Sequence, residues 1–315
     1  LGTTGAGTTI TSGAVLDLNG FTLGTAEALT ISGTGISLGG ALVNSSATGA
    51  TYSGLLTLGG ATTINANAGD ITLSNAGTIS GAGLRLTLGG SGAGTLTSIL
   101  GNTNGGLTKD GIGTWTLSGA STFTGSTLLN AGTIKLGATG DATNTPLGTT
   151  GASTAVLNGA VLNVNGFTLG IAEALTLNGN GISNGGALTN TGGAATYSGA
   201  ITQGSASMIT NTGSGTLTQS GNITGAFPLT FGGTAGITMS GNITTTGITV
   251  TKNGSNTLIY SGANGYTGLT TINAGTLQYG AINNIAGAVT ITGGTYDTAS
   301  YTDTVGAVIM IGGTI

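Results

Sequence analysis

The chain of 315 residues contains no cysteine and no histidine. Without cysteine it cannot form a disulfide scaffold, and without either residue it lacks the usual ligands of a structural zinc site. Charged residues make up only 4% of the chain, against about one quarter in an ordinary soluble domain. The four cations, Arg85, Lys109, Lys135 and Lys252, are too dispersed to form a basic patch. Nucleic acid and anionic lipid are therefore not expected partners.

Proline is also scarce, because only Pro146 and Pro228 occur, and this scarcity permits long β-sheets. No apolar run is long: the strongest, residues 307–311, is far shorter than the roughly 20 residues of a membrane-spanning helix. No secretory signal is visible at Leu1. We expect no membrane insertion by this segment. The 66 glycines could signal disorder, but apolar and β-branched residues alternate throughout, which favours a folded chain.

The sequence repeats itself over most of its length. Leu1 to Ala6 recurs at Leu147 to Ala152. The Asn130 to Thr133 motif recurs at Asn273 to Thr276, at a slightly shorter offset, and this drift indicates small deletions at turns. A third copy begins near Gly287 and stops within itself. We therefore predict one continuous rod built from repeat units at residues 1–146, 147–286 and, truncated, 287–315.

Each unit shows the pattern of short strands. Thr114 to Ser118 and Ala28 to Ser32 alternate polar with apolar residues, and Asn-Gly pairs such as Asn19-Gly20 mark sharp corners. No helical periodicity is present. Antiparallel sandwiches would need hairpins within units of about 100 residues, whereas the turn signals here continue without a break. We predict an all-β, right-handed parallel β-solenoid, or β-helix, of roughly 15 coils with about 20 residues each.

Two segments resemble the autotransporter-associated β-strand repeat. The first runs from Gly111 to Gly125 and continues at residues 130–134, and the second runs from Asn256 to Gly268 and continues at residues 273–277. The second copy departs at Ser255-Asn256, where the family prefers Gly-Thr. The motif residues that recur in register are Trp115, Leu117, Phe123, Gly125, Asn130 and Gly132, and then Leu258, Tyr266, Gly268, Asn273 and Gly275.

The resemblance implies a passenger-type β-helix of a surface or secreted adhesin from a Gram-negative-type bacterium. An extracellular or cell-surface location, and a structural or adhesive role, follow as expectations. The resemblance names no ligand. Partners implied by such a role are the surface or glycans of a host or neighbouring cell, or further copies of the chain itself.

Catalysis is not expected, although many parallel β-helices act on polysaccharides. Glycoside hydrolysis needs two carboxylates at a set separation, and no two acids here lie within five residues of each other. The acids are Asp17, Glu27, Asp70, Asp110, Asp141, Glu173, Asp297 and Asp303. We therefore predict no enzyme activity, no catalytic residue, no cofactor and no metal site, and we keep a polysaccharide-active enzyme as a minor alternative.

Several side chains recur at equivalent places and need an interpretation. Glu27 and Glu173 are interpreted as solvent-facing corner residues, with a weak cation site as the alternative. Lys109 and Lys252 each precede a repeat motif and are interpreted as rim charges that discourage lateral strand pairing. The recurring aromatics, such as Tyr52 and its copy at residue 197, are expected to fill corners, with a carbohydrate-stacking face as the alternative. Trp115, matched by a leucine, is expected in the core.

Two further functions compete with the adhesin hypothesis. Open β-edges at the ends of a solenoid could join copies head to tail into an extracellular filament or sheath. Rows of threonine, as at Thr244-Thr245-Thr246, could bind ice, but the spacing of threonine along the sequence is irregular.

Overall fold

The structure is a computed structural model that describes residues 1–2, 5–169, 171–282 and 285–315. The repeated motifs at residues 1–6 and 165–170 therefore include residues that lie outside this range, namely Thr3, Thr4 and Gly170. The chain divides into two units, Leu1–Ala155 (unit 1) and Val156–Ile315 (unit 2). The repeat boundaries expected from the sequence stay a prediction.

Short strands dominate both units. Unit 1 contains β1 (Thr8–Ile10), β2 (Leu16–Asp17), β3 (Thr22–Leu23), β4 (Leu29–Gly33), β5 (Leu42–Asn44), β6 (Ala50–Tyr52), β7 (Leu56–Ala66), β8 (Ile71–Leu73), β9 (Thr78–Ser80), β10 (Arg85–Gly90), β11 (Gly94–Leu96), β12 (Ile99–Gly101), β13 (Gly106–Lys109), β14 (Thr114–Leu117), β15 (Thr127–Leu129), β16 (Gly132–Leu136), β17 (Asn144–Thr145) and β18 (Gly148–Thr149).

The strands that follow are β19 (Ser153–Val156), β20 (Ala160–Asn163), β21 (Thr168–Leu169), β22 (Ala174–Gly179), β23 (Leu188–Asn190), β24 (Ala195–Tyr197), β25 (Ile201–Asn211), β26 (Leu217–Gln219), β27 (Ile223–Thr224), β28 (Leu229–Gly233), β29 (Ile237–Met239), β30 (Val250–Lys252), β31 (Thr257–Tyr260), β32 (Thr270–Ile272), β33 (Thr276–Tyr279), β34 (Val289–Ile291), β35 (Thr295–Asp297) and β36 (Val308–Met310). Two short 3₁₀ helices, Ile36–Leu38 and Ile182–Asn184, interrupt them. Within the described ranges, no helix is long and apolar enough to cross a membrane.

Strands of successive coils pair in parallel. In unit 1, β6 pairs with β8, β8 with β11, β11 with β14 and β14 with β16. In unit 2, β21, β24, β26, β29, β31, β33 and β35 form one seven-stranded parallel sheet. The antiparallel pair β17–β18 is a local exception. The predicted parallel β-solenoid is confirmed, with about 14 turns over the described residues against the roughly 15 expected; its right-handedness stays a prediction.

The alternation in the sequence determines which side chains point inward. In unit 1 an inward column contains Tyr52, Leu73, Leu96, Leu117 and Leu136, one from each successive coil, and all five are buried. Each such leucine contributes about 1.5–3 kcal/mol by leaving water. Because a coil shares its apolar face only with the coils above and below, the interior is a stack of thin layers.

The outward positions of the same strands form a regular threonine file. Its members are Thr22, Thr51, Thr72, Thr95 and Thr116, paired from coil to coil. The sequence separation between consecutive members varies, yet their register is constant because the additional residues lie in the bends. Irregular spacing along the sequence therefore does not mean irregular register.

Candidate functional site

The two predicted motifs occupy equivalent strands and bends in the two units. Trp115 and Leu117 lie on β14 and point into the core, as Leu258 does on β31. Phe123 and Tyr266 are fully buried in the bends that follow these strands. Gly125 and Gly268 lie in the same bends. Asn130, Asn273 and Gly275 lie in the next bends, between β15 and β16 and between β32 and β33, and Gly132 begins β16.

Trp115 fits because its neighbour in the previous coil has no side chain. It pairs with Gly94, and a Cβ at Gly94 would lie 2.2 Å from the indole ring. The indole Nε1–H donates to the carbonyl oxygen of Gly89 at 2.9 Å, so its one polar group is satisfied in the core. Unit 2 has Ile237 paired with Leu258 at the equivalent place. In unit 1 a large tryptophan lies against a glycine, whereas in unit 2 two medium side chains fill the same layer together.

The lysines that precede the motifs are the unexpected feature. Lys109 is fully buried, and its Nζ donates to the carbonyl oxygens of Asp110 (2.6 Å), Gly111 (2.8 Å) and Ala131 (3.2 Å). We call these groups lysine cluster 1. An ammonium group has three donors and no acceptor, so all three donors are used.

Lysine cluster 2 repeats this arrangement in unit 2. Lys252 is fully buried, and its Nζ donates to the carbonyl oxygens of Asn253 (2.8 Å), Gly254 (2.9 Å) and Ala274 (3.1 Å). In both clusters two acceptors follow the lysine directly and the third is the alanine of the Asn-Ala-Gly motif one coil later. Each ammonium therefore links two successive coils.

The interpretation of Lys109 and Lys252 as rim charges is wrong. Each long stem lies among apolar side chains and brings its head group to a corner where main-chain carbonyls converge. Burial lowers the pKa of both ammonium groups from 10.5 to about 8, and the Asp110 carboxylate opposes this effect at Lys109. With every donor bonded to main chain, neither amine is placed to act as a base or nucleophile.

The Asn-Ala-Gly motif surrounds each lysine head group. The side-chain amide of Asn130 donates to Asp110 Oδ1 at 2.7 Å, and that of Asn273 donates to Asn253 Oδ1 at 2.8 Å. Gly132 and Gly275 both have φ of +67°, and a Cβ there would lie 2.7 and 2.8 Å from the lysine Nζ. Main-chain carbonyl oxygens lie closer still, at 2.4 Å for Gly132 and 2.3 Å for Gly275. The glycine is therefore required by its backbone conformation and by its close approach to the main chain of the previous coil.

The repeated glutamates are also buried, at 2% exposure for Glu27 and 1% for Glu173, so the expectation that they face solvent is wrong. The Glu27 carboxylate accepts hydrogen bonds from the main-chain N–H of Gly2 at 2.8 Å and from the hydroxyl of Thr8. The hydroxyl of Tyr197 donates to the main-chain carbonyl of Glu173 at 2.8 Å. Within the described part of the chain, no three acidic, histidine or cysteine side chains gather into a metal-binding group.

Comparison with known families matches the passenger-associated-transport-repeat at residues 107–136 and 250–278. Two segments of this chain are therefore similar to that repeat. The resemblance to an autotransporter-associated β-strand repeat is confirmed at both places. No curated protein and no solved structure matches the chain.

Each passenger-associated-transport-repeat contains one complete lysine cluster. The first match begins two residues before Lys109 and includes Ala131, and the second begins two residues before Lys252 and includes Ala274. Both matches also contain the core strand that carries Trp115 or Leu258. In this chain the repeat is thus a piece of two coils held together by one buried ammonium.

Proposed function

We propose that this chain is part of a passenger domain that is displayed on the surface of a bacterial cell or secreted, where it acts as a rigid adhesive stalk. The observation that supports the proposal is the coincidence of two passenger-associated-transport-repeats with a parallel β-solenoid fold. The fold and the repeat fit an autotransporter passenger domain. The repeat family points to a secreted or surface-exposed protein.

The composition suits such a role. A chain without cysteine cannot be trapped by disulfides before it reaches its final location. Its coils bond only to the coils before and after them, so folding can begin at one place and extend along the chain. The matched repeat belongs to passenger domains, and this supports a structural role.

The test uses intact cells that express the natural full-length protein. We expect an externally added protease to cleave this chain while a periplasmic marker stays intact. Deleting the chain in frame should reduce attachment to surfaces or neighbouring cells. Protection from the protease, or unchanged attachment after deletion, would count against the proposal. Electron microscopy of the purified chain separates attachment to foreign surfaces from self-assembly, because only the latter produces filaments.

A further inference from the structure

A surface cavity of about 580 Å³ in unit 2 has an unusual lining. Its volume lies within the range of small-molecule sites, about 300–1,000 Å³. Four asparagines converge on it, together with one serine, one leucine and small residues: Leu157, Asn158, Asn178, Gly179, Asn180, Gly181, Asn184, Ser205 and Ala206. None of these residues is ionisable, so the cavity suits a neutral polar ligand.

A bulge between two strands forms one wall of the cavity. β22 and β25 pair in parallel, but their register shifts: Leu177 lies opposite Gln203, whereas Gly179 lies opposite Ser207. The three residues 204–206 therefore face Asn178 alone. Bulges bend a strand and redirect side chains, and they occur frequently beside binding sites. Here the bulge brings Ser205 and Ala206 to the asparagines, and Ser205 Oγ accepts a hydrogen bond from the Gly179 N–H at 3.1 Å.

The asparagine amides retain donors and acceptors that the protein does not use. Asn178 donates one hydrogen bond, to the carbonyl oxygen of Val156 at 3.0 Å. Asn180 donates to Asn184 Oδ1 at 3.4 Å, which is longer than an ordinary N–H···O bond. Asn158 makes no side-chain hydrogen bond to any described residue. Each amide has two N–H donors and one oxygen acceptor, so the cavity presents several groups that water or a ligand must satisfy.

Unit 1 shows that the fold itself does not require these amides. At the offset that relates Leu1 to Leu147, the residues equivalent to Asn158, Asn178, Asn180 and Asn184 are Ser12, Ser32, Thr34 and Leu38. The neighbouring 3₁₀ turns have the same conformation, with φ 50° and ψ 34° at both Ser37 and Ser183. Asn184 has a φ of 58°, and asparagine tolerates this left-handed conformation well. Leu38 adopts the same conformation in unit 1, with a φ of 63°, and Ser12, Ser32 and Thr34 precede glycines as the asparagines do. The backbone therefore favours asparagine at these turns but requires it at none of the four positions.

We propose that this cavity binds a neutral carbohydrate, namely one or two uncharged sugar rings of a surface glycan. A carboxamide offers an acceptor beside a donor, which matches two adjacent hydroxyl groups or an acetamido group on a sugar. Leu157, with 38% of its surface exposed, provides an apolar contact for the C–H face of a ring. The proposal rests on the adhesive function proposed above, since it names the ligand class of that contact.

The test measures binding of neutral disaccharides to the purified chain by saturation-transfer NMR and calorimetry. The probes are diacetylchitobiose, lactose and maltose, with sialyllactose as the charged comparison. We expect at least one neutral probe to bind, and the variant Asn158→Ser/Asn180→Thr, which copies the residues of unit 1, to bind it at least tenfold more weakly. The control variant Ser12→Ala/Thr34→Ala should bind like the natural chain, and both variants should melt at the natural temperature.

Three results would overturn the proposal. They are the absence of binding by every neutral probe at millimolar concentration, equal binding of the charged probe, and equal affinity in the Asn158→Ser/Asn180→Thr variant. If that variant melts early, Asn158→Gln provides the second measurement, since it keeps the amide but moves it by one methylene. If cells attach unchanged after deletion of the chain although the purified chain binds a neutral sugar, only the proposed function is removed. If deletion abolishes attachment but the purified chain binds no neutral sugar, only this site is removed.

Discussion

Replacing Lys109 by methionine tests whether the lysine clusters hold successive coils together. Methionine keeps an unbranched apolar stem but has no ammonium, so the carbonyl oxygens of Asp110, Gly111 and Ala131 lose a donor at once. A hydrogen bond to a charged group contributes about 1.5–3 kcal/mol, and the cost of burying the ammonium offsets part of that sum. We expect Lys109→Met to lower the free energy of unfolding by about 2–4 kcal/mol.

The matched control is Lys135→Met. Lys135 lies on β16, in the same outward file as the threonines, is half-buried, and makes no side-chain hydrogen bond to any described residue. Its replacement should change the free energy of unfolding by less than about 0.5 kcal/mol. Urea denaturation gives the global effect, and hydrogen exchange followed by mass spectrometry shows whether the loss of protection is concentrated at β13 and β16, as the cluster geometry requires.

The pH dependence of stability gives a second, independent test of the buried lysines. Burial lowers the pKa of the Lys109 and Lys252 ammonium groups to about 8, whereas the unfolded chain keeps the ordinary 10.5. Between these two values the unfolded state binds more protons than the folded state, so stability from these sites rises with pH through that window. The stability difference between the natural chain and Lys109→Met should therefore be larger at about pH 9.5 than at about pH 7.5.

One outcome would refute the stabilising role of the lysine cluster, and another would refute the lowered pKa. If Lys109→Met costs no more than Lys135→Met, the three carbonyl contacts contribute no net stability. If the difference between the natural chain and Lys109→Met shrinks as pH rises, then the three carbonyls stabilise the ammonium by more than burial destabilises it. In that case the pKa of Lys109 would lie above its ordinary value rather than below it.

Three further substitutions test the packing of the repeat. Trp115→Leu should destabilise unit 1 by about 2–4 kcal/mol because it leaves a cavity, and adding Gly94→Ile, as in unit 2, should recover more than half of the loss in denaturant melts. Gly132→Ala should cost more than about 2 kcal/mol, since its φ of +67° and the main-chain carbonyl oxygens of Gly111 and Gly113 both oppose a side chain; loss of exchange protection at the lysine cluster would show it. Tyr197→Phe should cost about 1 kcal/mol through its lost hydrogen bond, while Tyr301→Phe at the surface should change the melting temperature little.

The solenoid could be predicted because three local signals agree: alternation, frequent glycine, and repeats at a long period. The register could not be predicted so easily. The step from Thr22 to Thr51 is longer than the step from Thr51 to Thr72, yet all three stand in one file. The sequence shows the length of each coil, but only the paired backbone shows which residues of a bend are additional. This is why the threonines appeared irregular.

The sequence does not predict the cavity of unit 2, for a related reason. Asn158 and Asn180 belong to Asn-Gly pairs, which are ordinary turn signals in any β protein. Their convergence depends on a bulge in β25, a strand that follows Asn180 only after β23 and β24. No local pattern connects these positions, although a comparison of the two repeats does reveal the replacement of Ser12 and Thr34 by amides.

The burial of the charged residues, in contrast, could be predicted from the sequence. Lys109 follows Leu107 by two residues on β13, and Glu27 lies two residues before Leu29, just ahead of β4. The two-residue period of a strand, extended to Glu27, therefore places each charge on the inward side with its leucine. Both residues were expected at the surface because charged side chains are usually exposed. The two-residue period of the strand is the better guide here.

The column that contains Lys109 shows why such a charge is tolerated. Lys109 stands between Leu88 of the previous coil and Leu129 of the next. A charge in such a column has no like charge directly above or below it, and main-chain carbonyls can satisfy it. Lys252 likewise stands between Phe231 and Ile272. In this chain each buried ammonium therefore lies where a bend supplies acceptors and where its neighbours in the adjacent coils are apolar.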